Sequence, residues 1–64
     1  MGMPGFVELT TRDGYKVTIR VTKIDCIESA HDGTWVKYNN IPVNVRGSYD
    51  EVTRAVSDAM ASRG

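Results

Sequence analysis

The sequence predicts an α+β domain: an antiparallel meander of about five short β-strands with one C-terminal α-helix packed on one face. Three observations predict it. Apolar and polar residues alternate through positions 6–21 and 34–45, the period of a half-buried strand. Residues suited to tight turns interrupt the alternation at Asp13-Gly14, Asp32-Gly33 and Asn39-Asn40. After Gly47 the apolar period changes to three and four, behind a Ser48…Glu51 capping box. Residues 1–5 read as a flexible leader and 6–62 as a single small domain.

The first hairpin turns at Arg12-Asp13-Gly14. A two-residue turn at Asp13-Gly14 would set Leu9 opposite Thr18 and mix polar with apolar on both faces. A three-residue loop with glycine in the left-handed position instead pairs Thr11 with Tyr15, Leu9 with Val17 and Val7 with Ile19. Val7, Leu9, Tyr15, Val17, Ile19 and Val21 then share one face, and Phe6, Glu8, Thr10, Lys16, Thr18 and Arg20 the other. A one-residue slip would invert every side chain, so the pattern selects this register.

Thr22-Lys23 reads as a connector and 24–30 as a third strand. Its alternation is weak: Ile24 and Cys26 point one way, Asp25 and Ile27 the other, which suits a bulge or a two-sided strand. His31-Asp32-Gly33 repeats the chemistry of the first loop. Asparagine tolerates positive φ, so Asn39-Asn40 suits a type I′ turn that pairs Tyr38 with Ile41, Val36 with Val43 and Thr34 with Val45. Pro42 has no N–H to donate, which places it at an edge with its nitrogen turned outward.

In the helix, Tyr49, Val52, Val56, Ala59 and Met60 form a narrow apolar stripe with Ala55 at its edge, and the helix ends near Ser62. Asp50 and Glu51 complement its positive end, Arg63 its negative end. The stripe covers a sheet face made by Val7, Leu9, Val17, Ile19, Val21, Ile24, Cys26, Val36, Tyr38, Val43 and Val45, so Cys26 is expected to be a buried thiol.

Composition narrows the function. Eight basic and eight acidic side chains give no net charge, which argues against a nucleic-acid footprint. One cysteine rules out an internal disulfide and suits a reducing, cytoplasmic setting. No apolar run approaches the roughly 18 residues of a membrane span. A chain of 64 residues builds a small core, and with no disulfide or metal cluster to staple it, oligomerisation is the common remedy. No nucleophile with its base, spaced carboxylate pair, metal-ligand cluster or phosphate loop is present, so neither an enzyme nor a cofactor is expected. Asp13 and Asp32 precede glycines, where turn chemistry explains them. His31 belongs to a solvated loop.

Trp35 falls on the face away from the helix. Asn44 is its expected cross-strand partner, with Pro42 and Arg46 on the diagonals, Lys37 two residues along, and Phe6 and Ile27 on the same side. An aromatic group mixed with Arg, Lys and Asn on an open sheet face has the composition of an interface centre. The candidate interface or ligand residues are therefore Trp35, Arg46, Lys37, Asn44, Phe6, Arg20 and Tyr49. Shielding of the sheet by Trp35, or its cover by the leader, is the plain structural alternative. The expectation is a non-catalytic binding or assembly domain, homo-oligomeric and acting through protein–protein contacts. A second reading is a sequestering protein of the kind found in bacterial viruses. It would hold a nucleotide signal between protomers, with Trp35 and Tyr49 stacking on a base and Arg46, Lys37 or Arg20 on phosphate.

Leu9-Thr10, the Asp13-Gly14 turn, Ile24 with Ile27-Glu28, Val36, and the run from Val45 to Val52 together resemble the small FlbD-type proteins associated with flagellar and swarming loci. The resemblance spans about residues 7 to 56. It implies a non-enzymatic accessory or regulatory protein with no catalytic residues. The chain differs from the family pattern in its long leader, in Gly47 and in the outward Trp35.

Overall fold

The computed structural model describes residues 5–61. The elements follow in the order β1 (Phe6–Thr10), β2 (Lys16–Arg20), a 3-10 turn (Val21–Lys23), β3 (Ile24–Ala30), β4 (Gly33–Tyr38), β5 (Ile41–Val45) and α1 (Tyr49–Ala61). All strand neighbours are antiparallel, in two sheets of order β1-β2 and β3-β4-β5. Residues 1–4 of the leader, and Ser62 to Gly64 at the expected helix end, lie outside the described residues. Gly5 belongs to the fold, since its carbonyl accepts from the Val21 N–H at 2.9 Å.

The first hairpin takes the three-residue register, with Val7 opposite Ile19 and Leu9 opposite Val17. The Thr11 N–H donates to the Tyr15 carbonyl at 2.7 Å, and Gly14 closes the loop at φ +96°, a backbone that side-chain-bearing residues rarely adopt. Asn39 and Asn40 have φ of +51° and +66°, as the type I′ turn requires, and β4 pairs with β5 in the expected register. The Asn40 N–H also donates to Asp25 Oδ2 at 2.9 Å, which ties this turn to the start of β3.

A bulge between Ile24 and Cys26 corrects the expected core. The extra residue reverses the alternation beyond it, so Cys26 lies opposite Lys37 and is exposed, whereas Ile27 lies opposite Val36 and packs on the core. Cys26 is therefore not a buried thiol, and Ile27 does not share the Trp35 face. Tyr15 also leaves the expected core face: it sits just outside β2 and is 71% exposed. The remaining assignments stand. Val7, Leu9, Ile19, Val21, Val36 and Val45 are buried with Val52 and Val56 of the helix, and Val17, Ile24, Tyr38, Val43, Ala55 and Ala59 pack around them.

The capping box forms as a reciprocal pair at the start of α1, between Ser48 and Glu51. The helix stripe is narrower than its sequence period implies. Tyr49 and Met60 are 43% and 54% exposed, and the centre of the contact is Val52 and Val56. Buried Thr34 donates its hydroxyl to the Gly47 carbonyl at 2.9 Å, which fastens the strand-to-helix junction to β4.

Candidate partner-binding groove

The two sheets meet at one bridge, Thr11 with Val45. On either side of it the Arg12 N–H donates to the Asn44 carbonyl at 3.1 Å and the Arg46 N–H to the Thr10 carbonyl at 2.8 Å. This junction brings the tip of the β1–β2 hairpin against the outer face of β4 and β5. The hairpin tip, Trp35, Pro42, Val43 and Asn44 enclose an open groove of about 400 Å³.

The groove is held from below by a knot of polar contacts centred on the β3–β4 turn. Arg12 Nη1 and Asn44 Nδ2 both donate to the Asp32 carbonyl, the latter at 3.3 Å. The Trp35 indole N–H donates to Asp32 Oδ1 at 3.0 Å. Gly33 has φ +127°, and a Cβ built on it would lie 2.8 Å from both Arg12 Nη1 and Asn44 Oδ1, so the close approach of the two turns requires glycine. Arg46 Nη2 reaches back to the Arg12 carbonyl at 3.3 Å.

The bond from Trp35 holds the Asp32 carboxyl below its ordinary pKa; desolvation opposes it, and the backbone and the nearby His31 and Arg12 charges add lesser lowering. The rim carries Arg12 and Asp13, and Asp32 is tied to the Trp35 indole N–H. The floor is the half-buried Trp35 ring, with the exposed Tyr15 and Pro42 beside it.

Of the residues singled out in the sequence, the fold brings Trp35 and Asn44 together as direct cross-strand partners. Lys37 shares their face but lies opposite Pro42, one step beyond the groove. Arg46 lines a second groove, of about 380 Å³, between β1 and the start of α1, while its Nη2 reaches the Arg12 carbonyl. Phe6 and Arg20 pair with each other at the far end of the first hairpin, the guanidinium 5.3 Å from the ring centroid. At about 3.3 Å per strand residue, that pair is roughly 16 Å from Thr11 along β1. Tyr49 opens the helix and does not line the Trp35 groove.

Contributors not among the candidates include Tyr15, Arg12, Asp13, Pro42 and, through its bond to Trp35, Asp32. Tyr15 directly follows a loop glycine, where alternation no longer fixes direction. Arg12 and Asp32 lie in turns, where turn chemistry alone explains them. Among the described residues, no group of three or more His, Cys, Asp or Glu side chains lies close enough together to hold a metal ion, and no helix is long and apolar enough to cross a membrane.

Compared with known protein families, curated proteins and solved structures, the chain gives no match.

Proposed function

We propose that the chain is a non-catalytic cytoplasmic domain that self-associates and acts by binding a segment of another protein in the Trp35 groove. The observation that carries this reading is the groove itself. A Trp ring, an exposed Tyr ring and a proline sit side by side, with Arg12 and Asp13 on the rim. Rigid aromatic side chains with a polar tip bury large contact areas at low conformational cost, and they dominate the centres of protein interfaces. The balanced rim suits a polypeptide, which brings both donors and acceptors. Self-association follows from the small core, and an accessory or regulatory role is what the FlbD-type resemblance implies.

The nucleotide-sequestering reading draws support from Arg12 and Arg46, whose guanidiniums donate to backbone carbonyls rather than to carboxylates. Against it, Asp13 lines the same groove, and Tyr49 does not line it to complete a stack with Trp35. A thermal-shift screen of nucleotides decides between the two. A ligand at a thousandfold excess over its dissociation constant stabilises by about 4 kcal/mol.

The test of the protein-binding reading compares partner recovery by the native chain and by Tyr15→Ala. Tyr15 is mostly exposed, so the variant keeps its thermal stability. Loss of a defined partner with unchanged unfolding supports the groove. Undiminished recovery by Tyr15→Ala and by Trp35→Ala removes it.

A further inference from the structure

We infer that the exposed edges of β2 and β3 pair with each other between copies of this chain, head to tail and in parallel. This rests on the self-association proposed above and names the surface that produces it. Of the ten strand edges, eight are otherwise occupied or blunted. β4 is paired on both sides, and β1 and β5 meet at the Thr11–Val45 bridge. Beyond the bridge, β5 presents Pro42, which has no N–H to offer, and β1 runs beside the first turns of α1. β2 and β3 are each paired on one side only among the described residues.

The direction of the backbone groups fixes how these edges meet. The bonds from Val21 N–H to the Gly5 carbonyl and from Thr11 N–H to the Tyr15 carbonyl show that the odd-numbered residues of β2 face β1. The amides of Lys16, Thr18 and Arg20 therefore point outward. On the other side, Asn44 turns its carbonyl to Arg12, so by alternation Val36 faces β5, Trp35 and Lys37 face β3, and Cys26 and Glu28 face β4. The outward amides of β3 are those of Ile27 and Ser29. An antiparallel pair matches outward amides with outward amides, which would set exposed Thr18 beside core-facing Ile27. A parallel pair staggers them and sets Thr18 and Arg20 beside Cys26 and Glu28, all four exposed.

Charge selects the same partner. The exposed face of β2 carries Lys16 and Arg20, and that of β3 carries Glu28 near Asp25. Pairing β2 with a second β2, or β3 with a second β3, crowds like charges, whereas β2 with β3 joins opposite ones. The register that places Arg20 beside Glu28 places Thr18 beside Cys26. Because the two surfaces differ, each copy offers one of each, and copies add into a closed ring or an open chain.

Sedimentation velocity over a concentration series tests this with the native chain, Arg20→Glu, Glu28→Arg and the double reversal, each first checked for native thermal unfolding. The native chain grows with concentration. Each single reversal weakens growth by on the order of tenfold or more, and the double reversal restores it. Thr18→Pro, which removes only an outward N–H, abolishes growth and serves where a reversal fails to fold. Growth unaffected by the reversals and by Thr18→Pro overturns this edge pairing while leaving self-association standing. Stronger growth in Glu28→Arg alone overturns it in favour of β3 with β3. A native chain that stays monomeric throughout overturns both the pairing and the self-association, and leaves the Trp35 groove to its own test.

Discussion

Trp35 donates its indole N–H to Oδ1 of Asp32, three residues earlier, at 3.0 Å. The bond fastens the aromatic floor of the groove to the turn that Arg12 and Asn44 also grip through the Asp32 carbonyl. The orientation of the ring thus depends on a carboxylate that can be titrated.

That dependence gives a pH prediction. Asp32 is held below its ordinary value of 3.8 chiefly by the Trp35 bond. A depressed folded-state pKa contributes stability above the unfolded pKa, which is lost as pH falls through the folded one. Trp35 is the only tryptophan, so its fluorescence reports the event directly. A step with a midpoint below pH 3.8 is expected in the native chain and is absent in Asp32→Asn.

Gly33→Ala tests the packing of the two turns. The new methyl meets Arg12 and Asn44 at 2.8 Å from a backbone of positive φ. A loss of about 1–3 kcal/mol in urea unfolding is expected, together with a change in Trp35 fluorescence. A stability equal to that of the native chain would contradict the crowding and the positive-φ strain at position 33.

The capping box is tested by Glu51→Ala and Ser48→Ala. The Ser48 N–H donates to Glu51 Oε1 at 2.8 Å and the Glu51 N–H to Ser48 Oγ at 3.1 Å. Each variant should lose about 1 kcal/mol, which for a domain of this size lowers the unfolding midpoint by roughly 4–8 °C. The double variant should lose little more than either single, because the two bonds form as a unit.

Val36 has no exposed surface and lies at the crossing of β4 with the helix-covered core. Val36→Ala should cost roughly 2–3 kcal/mol through lost burial and the cavity left behind. Cys26→Ser, outside that core after the bulge, should change stability by less than about 0.5 kcal/mol. Equal losses at the two positions would contradict the register of β3.

The strands, the registers of the β1–β2 and β4–β5 hairpins and the helix cap were legible because each is local, whereas the β3–β4 turn takes only His31 and Asp32, with Gly33 paired to Ala30 rather than in a three-residue loop. Alternation over five residues, a loop glycine, two asparagines and a Ser48…Glu51 spacing carry their own geometry. The bulge was legible as weak alternation, but not its direction, which depends on how residues 24–26 meet Tyr38 and Lys37 across the sheet. The groove was half legible. Trp35 and Asn44 follow from strand register, whereas Tyr15 and Arg12 reach them only through the Thr11–Val45 bridge, which joins positions 34 residues apart and has no sequence period. That Phe6 lies at the end of the hairpin away from its turn is legible from the register, but nothing in the sequence says that the turn end is the one that meets β5.

The most direct measurement of the central claim is photo-crosslinking in the native cells, with benzoylphenylalanine placed at Tyr15 in the groove and, as a control, at Arg54 on the outer face of the helix. The account predicts one discrete adduct with another protein from position 15, none from position 54, and loss of that adduct when Trp35→Ala is added. Adducts of equal yield from both positions, or an adduct from position 15 with a second copy of the chain alone, would contradict the assignment of this groove to a protein partner.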